Sequence, residues 1–248
     1  MHTHKKEEIS MLVLGHRGAS GYAPENTLAA FELGIQQGCH GFEFDVQLSR
    51  DGEPVIHHDW SVERTTDGTG DIRDLTFREI RNLDAGKWFS SEFRGQKIPA
   101  LGEVLELIPG EMLLNVELKS RASDGPGLEE KVIAALREHG RLEKTIISSF
   151  NHLSLKRVRE IDPSIRLGLL YEALLLHPFD YLEKLKLGLY SIHPLHDYVS
   201  PSLVREAHDR GLKMACWTVN TTERARELMK DGVDMIITNY PDRCLELK

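Results

Sequence analysis

The sequence predicts an α/β chain folded as a (β/α)8, or TIM, barrel. Three observations predict it. Strand-like and helix-like patterns alternate from one end to the other, the alternation repeats eight times, and 248 residues is the size such a barrel needs. Alternation of this kind implies parallel strands joined by right-handed crossovers. A doubly wound open sheet is the rival, but no GxGxxG follows a strand to argue for it.

The first strand is expected over 11–14 and its helix over 27–37, where Leu28, Phe31 and Ile35 share a stripe and Gly38 is the stop. Asn26 or Thr27 reads as the cap of that helix, with Glu25 near its positive end. The second strand, 41–48, is followed by a turn at Asp51-Gly52 and a short return strand at 54–57. A third strand over 112–119 leads to a helix at 128–139, and a fourth over 145–149 to a helix at 153–161 that Asp162-Pro163 ends. The later units pair strands at 166–170, 189–192, 213–219 and 235–238 with helices near 181–187, 202–210, 223–230 and 243. Residues 60–110 exceed an ordinary strand–helix connection and hold two short amphipathic helices, near 77–83 and 101–108. They read as an insertion at the barrel mouth within a single domain, too small and too polar to stand alone.

Composition narrows the function classes. Hydrophobic residues make up 40% and charged residues 28%, as in an ordinary globular protein. Thirty-nine acidic residues against 31 basic ones give a formal charge of −8, which argues against nucleic acid as a partner. The longest apolar runs fall far short of a membrane span of ~20 residues, and no apolar stretch follows the basic start, so no secretory leader and no stable membrane association are expected. A cytoplasmic protein acting on a small molecule is the default. Cys39, Cys216 and Cys244 lack metal or disulfide spacing and read as buried thiols. His2 and His4 precede the first strand and read as terminal chain.

Chemistry in such a barrel belongs at the C-terminal ends of the strands. There the sequence places His16-Arg17 on strand one, Glu43 and Asp45 on strand two, His58 after the return strand, and Glu117 and Lys119 on strand three. Carboxylates at i and i+2 of a strand point to one side. Three converging carboxylates would repel one another, whereas a divalent cation resolves the conflict. Satisfaction by Arg17 and Lys119 in a structural network is the bland alternative. A histidine on either side of a held cation suits metal-assisted acid–base hydrolysis, and the guanidinium of Arg17 suits a phosphate. His57, His193 and His196 read as scaffold. Trp217 ends a strand, where it serves either core or ligand platform.

These residues stand in runs that resemble the glycerophosphodiester phosphodiesterase family: H-R-G-A-S-G-Y-A-P-E-N-T at 16–27, E-F-D at 43–45, H-H-D at 57–59, R-T-T-D-G at 64–68 and N-V-E-L-K at 115–119, then A-C-W-T-V-N at 215–220 and T-N-Y-P-D at 238–242. Asn239 departs from the aspartate of many relatives. The resemblance implies hydrolysis of glycerophosphodiesters, such as glycerophosphocholine or glycerophosphoethanolamine, to sn-glycerol 3-phosphate and an alcohol. It implies one divalent cation, Mg²⁺ or Ca²⁺, on Glu43, Asp45 and Glu117. It implies His16 and His58 as the acid–base pair, Arg17 and Lys119 at the phosphate, and Phe150 and Trp217 beside the glycerol or its departing group. The alternatives are a lysophospholipase D-type phosphodiesterase and a non-catalytic barrel used for binding.

Overall fold

A computed structural model describes residues 11–121 and 127–247; the reading of the first ten residues lies outside them. The first unit is β1 (Leu12–His16) with α1 (Leu28–Gln37). Then β2 (Gly41–Leu48) turns back on itself as the antiparallel β3 (Pro54–Ile56). Two helices, α2 (Phe77–Asn82) and α3 (Leu101–Leu107), precede β4 (Leu113–Leu118) and α4 (Leu128–Glu138). Alternation continues through β5 (Thr145–Ser149), α5 (His152–Ile161), β6 (Arg166–Tyr171), α6 (Pro178–Leu185), β7 (Ser191–Pro194) and α7 (Pro201–Asp209). It ends with β8 (Lys213–Cys216), α8 (Thr222–Asp231), β9 (Met235–Thr238) and α9 (Pro241–Leu245).

Each strand except β3 pairs in parallel with its neighbours, in the order β1-β9-β8-β7-β6-β5-β4-β2, and β1 also pairs with β2. That last pairing closes the sheet, so the fold is the expected eight-stranded TIM barrel. Two packed zones hold it together. Between sheet and helices lies the main core, with Phe31, Phe42, Phe44, Leu114, Val116 and Leu155 fully buried; burying each such side chain stabilises by about 1.5–3 kcal/mol. Inside the barrel, Leu14, Ile146, Ala215, Met235 and Ile237 fill the lower end. Cys39, Cys216 and Cys244 are buried free thiols.

Several boundaries differ from the sequence reading. The strand expected over 213–219 stops at Cys216, after which an isolated bridge between Leu195 and Trp217 continues the pairing. Thr27 alone caps α1, its hydroxyl accepting from the Ala30 amide. Asn26 instead adopts a left-handed backbone (φ +57°) and sends its side chain into the barrel mouth.

The segment between β3 and β4 divides by which core it feeds. Ile72, Ile80, Ala85 and Ile98 pack with Val55 and Val62 in a small core of their own. Leu101, Val104 and Leu105 of α3 enter the main core, where α3 packs against α1 and α4. Phe89 touches Trp88 and Phe93 edge-on, each with ring centres 5.6 Å apart, so these rings largely pack the insertion itself.

Candidate active site

Neighbouring strands β2 and β4 run in register with Glu43 beside Asn115 and Asp45 beside Glu117. The pleat therefore turns Glu43, Asp45 and Glu117 into one space, with a ligand oxygen of each within 4.8 Å of the others. All three are buried. Burial and the charge of Asp45 push the Glu117 carboxyl up to about 7, and burial with both neighbours pushes Glu43 well above the usual carboxylate range. Burial also opposes ionisation of Asp45, but Arg17, His58, Lys119 and a hydrogen bond from Asn26 Nδ2 (3.0 Å) hold it far below that range.

Cations answer part of this charge. Arg17 Nε lies 3.4 Å from Asp45 Oδ2, and Lys119 Nζ lies 3.1 Å from Glu117 Oε1 and 3.8 Å from Asp45 Oδ1. Both stay charged, because the surrounding carboxylates outweigh burial. Two cations do not balance three carboxylates, and Arg17 is shared with Glu25 at 2.7 Å. Glu43 Oε2 and Asp45 Oδ1 are buried and have no hydrogen-bond partner among the described residues. Buried carboxylate oxygens are rarely left so. A donor set of three hard oxygens with two orphaned atoms fits a divalent cation.

His16 ends β1 beside this cluster. Its Nδ1 donates to Asn239 Oδ1 at 2.6 Å, an oxygen that also accepts from Ser20 Oγ, and its Nε2 lies 3.7 Å from Glu43 Oε2. Burial, then the charge of Arg17, lowers its pKa to about 3, so the imidazole is neutral with Nε2 as its free acceptor. His58 follows β3, within the field of Asp45, and its Nδ1 donates to Asp59 Oδ1 at 2.7 Å. Burial lowers its pKa, while Asp45 and Asp59 pull the other way.

Backbone geometry sets the first of these positions. Arg17 sits at φ +55°, a conformation costly for a side-chain-bearing residue, which persists where surrounding contacts fix it. Its amide donates to the Glu43 carbonyl and its carbonyl accepts from the Asn26 amide. Gly18 follows at φ +88°, and a Cβ there would come within 2.6 Å of the Ala30 backbone. The loop is thus pressed onto α1, which aims Arg17 inward.

Across the mouth, Phe150 and Trp217 meet edge-on with ring centres 5.4 Å apart. Phe150 is exposed; Trp217 is half-buried over the inner core, its indole N–H donating to the His193 carbonyl at 2.9 Å. Trp217 therefore has both a packed and an open side. His57 is satisfied at both nitrogens, by the Asp59 carbonyl and Thr65 Oγ1, and His193 bonds Ser191 Oγ through Nε2. The sequence reading did not find Asn26, Asp59, Arg64 or Asn239 as neighbours of these groups. All four carried a signal, since each stands inside a run matched to the family.

Fold and rim chemistry together define a class, the barrel enzymes that cleave phosphate diesters, and comparison with known proteins bears this out. Residues 16–243 match the model of the glycerophosphoryl diester phosphodiesterase family. A glycerophosphodiester phosphodiesterase of Caldanaerobacter subterraneus subsp. tengcongensis is 44% identical over 240 residues, spanning 96% of this chain and 98% of the relative. One from Bacillus altitudinis is 34% identical over 95% and 97% of the two chains. Among solved structures, an Oleispira antarctica phosphodiesterase in complex with the product sn-glycerol-3-phosphate superposes with a TM-score of 0.89 at 34% identity, over 94% of this chain and 95% of that one. The chain belongs to the glycerophosphoryl diester phosphodiesterase family, and it is an enzyme of that phosphodiesterase class.

Proposed function

We propose that this enzyme hydrolyses glycerophosphodiesters, such as glycerophosphocholine and glycerophosphoethanolamine, to sn-glycerol 3-phosphate and an alcohol. Glu43, Asp45 and Glu117 would hold one divalent cation, Mg²⁺ or Ca²⁺, which when bound neutralises phosphate charge as it builds up at phosphorus. Arg17 and Lys119 orient the phosphate through its remaining oxygens. His16 and His58 act as the acid–base pair, one taking a proton from the nucleophile and the other returning one to the departing oxygen. Each such transfer typically contributes about 10²–10⁴-fold. With Nδ1 engaged by Asn239 and by Asp59 respectively, each imidazole presents Nε2 to the reaction. Phe150 and Trp217 bound the glycerol or the departing group on the uncharged side.

The observation that carries this reading is the buried carboxylate cluster with two oxygens that no hydrogen bond from the described residues reaches, bordered by His16 and Arg17. The product held by the Oleispira relative supports the substrate class. Release of glycerol 3-phosphate from a panel of glycerophosphodiesters, with Mg²⁺, Ca²⁺ and Mn²⁺ in turn, tests it. Inactivation by EDTA and recovery on adding back a divalent ion is the expected result; full activity in EDTA would defeat the cation assignment.

A second reading has one feature in its favour. Leu174 and Leu176, in the loop after β6 at the same end of the barrel, are 79% and 87% exposed, an apolar rim that an acyl chain would cover. Hydrolysis of lysophosphatidylcholine faster than glycerophosphocholine would select this lysophospholipase D-type activity.

A further inference from the structure

One chain of charged contacts leads away from the reacting groups into the insertion. His58 Nδ1 donates to Asp59 Oδ1 at 2.7 Å, and the second oxygen of Asp59 accepts from Arg64 Nε at 2.5 Å. The two terminal nitrogens of Arg64 grip both oxygens of Glu25, at 2.8 and 2.7 Å. Glu25 in turn accepts from Arg17 Nη1 at 2.7 Å. Three separate segments meet here: the loop between β1 and α1, the turn after β3, and the insertion.

Arg64 is the joint of this assembly. Its side chain is 45% exposed, and a single ion pair so exposed would hold little in place. Arg64, however, makes three bonds from one planar group to two carboxylates, and a lysine cannot reproduce that fork. Asp59 remains ionised although burial opposes it, chiefly through the bond from Arg64. An ionised carboxylate bonded to Nδ1 selects the imidazole tautomer whose Nε2 is free, and fixes the ring plane.

We propose that Arg64 is a positioning residue of the phosphodiesterase reaction, holding Asp59 against His58 so that Nε2 of His58 faces the reacting atoms. The proposal rests on the role given to His58 above. The rival is a purely structural staple, which would lower thermal stability and leave turnover unchanged below the melting transition.

The test uses Arg64→Ala, Arg64→Lys, Asp59→Ala and the Arg64→Ala/Asp59→Ala pair in the full chain. Each is assayed on glycerophosphoethanolamine with Mg²⁺, at least 10 °C (roughly) below its own Tm. Arg64→Ala should lower kcat by about 10²-fold with a smaller rise in KM, as expected when a general acid or base is misaligned. Arg64→Lys should recover only part of the loss. The double variant should be no slower than the slower single one, because both act through one path. Added guanidinium should rescue Arg64→Ala but not Asp59→Ala. A kcat for Arg64→Ala within about threefold of the parent, or losses that multiply in the double variant, overturns the proposal. Nitrogen-15 shifts of His58 provide a readout independent of turnover: a dominant Nδ1–H form in the parent that is lost in Arg64→Ala supports it. If the parent cleaves no glycerophosphodiester, the functional reading fails, and these shifts alone judge Arg64; an unchanged tautomer then overturns it.

Discussion

The two sides of the barrel mouth differ sharply in charge. The side formed by β1, β2, β4 and the turn after β3 carries His16, Arg17, Glu43, Asp45, His58, Glu117 and Lys119, most of them buried or nearly so. The opposite side, from β5 to β8, presents Ser148, Phe150, His193 and Trp217. There Gly168 leaves room for the His193 ring, whose Nε2 would lie 2.5 Å from a Cβ at that position, and burial lowers the His193 pKa to about 3. One side is thus built to hold and move charge, and the other is neutral, aromatic and hydroxylic. In the proposed reaction the bond-breaking chemistry belongs to the first, and the second faces whatever part of the substrate varies.

The sharpest break of this comparison comes from the charged side. His16→Ala and His58→Ala should each reduce kcat by about 10³-fold, with circular dichroism and Tm showing the fold retained. Retention of more than about a tenth of kcat by either would remove that imidazole from the acid–base pair.

Next comes Glu117→Gln, which should weaken divalent-ion affinity by at least about tenfold in calorimetry. The same titration in the parent should depend on pH with a definite sign. A Glu117 carboxyl held near 7 by burial and Asp45 is protonated below that pH, and a cation must displace the proton. Affinity should therefore rise as pH increases through about 7, with proton release measurable from the dependence of heat on buffer. Because the folded-state pKa lies above the unfolded one, this group's contribution to stability is fully present below the unfolded pKa. It is lost as pH rises through 7, so added cation should raise Tm more at pH 8 (roughly) than at pH 6 (roughly).

Smaller effects are expected opposite. Phe150→Ala and Trp217→Ala should change KM by about 5- to 10-fold, to different extents for choline and ethanolamine esters, with kcat little altered. Equal losses for every head group would mean the neutral side does not select among them. Smallest of all, Leu174→Ser with Leu176→Ser should leave kcat/KM on glycerophosphocholine within about twofold, as for other exposed positions. A selective loss on lysophosphatidylcholine would favour the apolar-rim reading.

The barrel was legible because short apolar runs such as 11–14 and 235–238 alternate with helical stripes along the chain. The carboxylate triad was legible for a related reason: Glu43, Asp45 and Glu117 interrupt apolar strands, where an uncompensated charge is costly. What stayed hidden depends on distance or on rare backbone states. Asn26 looks like a helix cap in any local window, and only its left-handed backbone takes it to Asp45. Arg64 lies 39 residues from Glu25 in a turn-rich stretch whose periodicity says nothing of partners. The apolar stripe of α3 is plain in sequence, but a stripe does not say whether it faces the small insertion core or the large one.

The return strand β3 is three residues long and has one strand beside it, β2, its other edge making only an isolated bridge from Val55 to Ala100. His16, by contrast, is anchored in a strand hydrogen-bonded on both sides. Short pairings at the end of a sheet open at lower free energy than closed ladders. Gentle heating should therefore let the hairpin bearing His58 wander while the cylinder stays shut, and the inactivation curve should run ahead of the calorimetric melt.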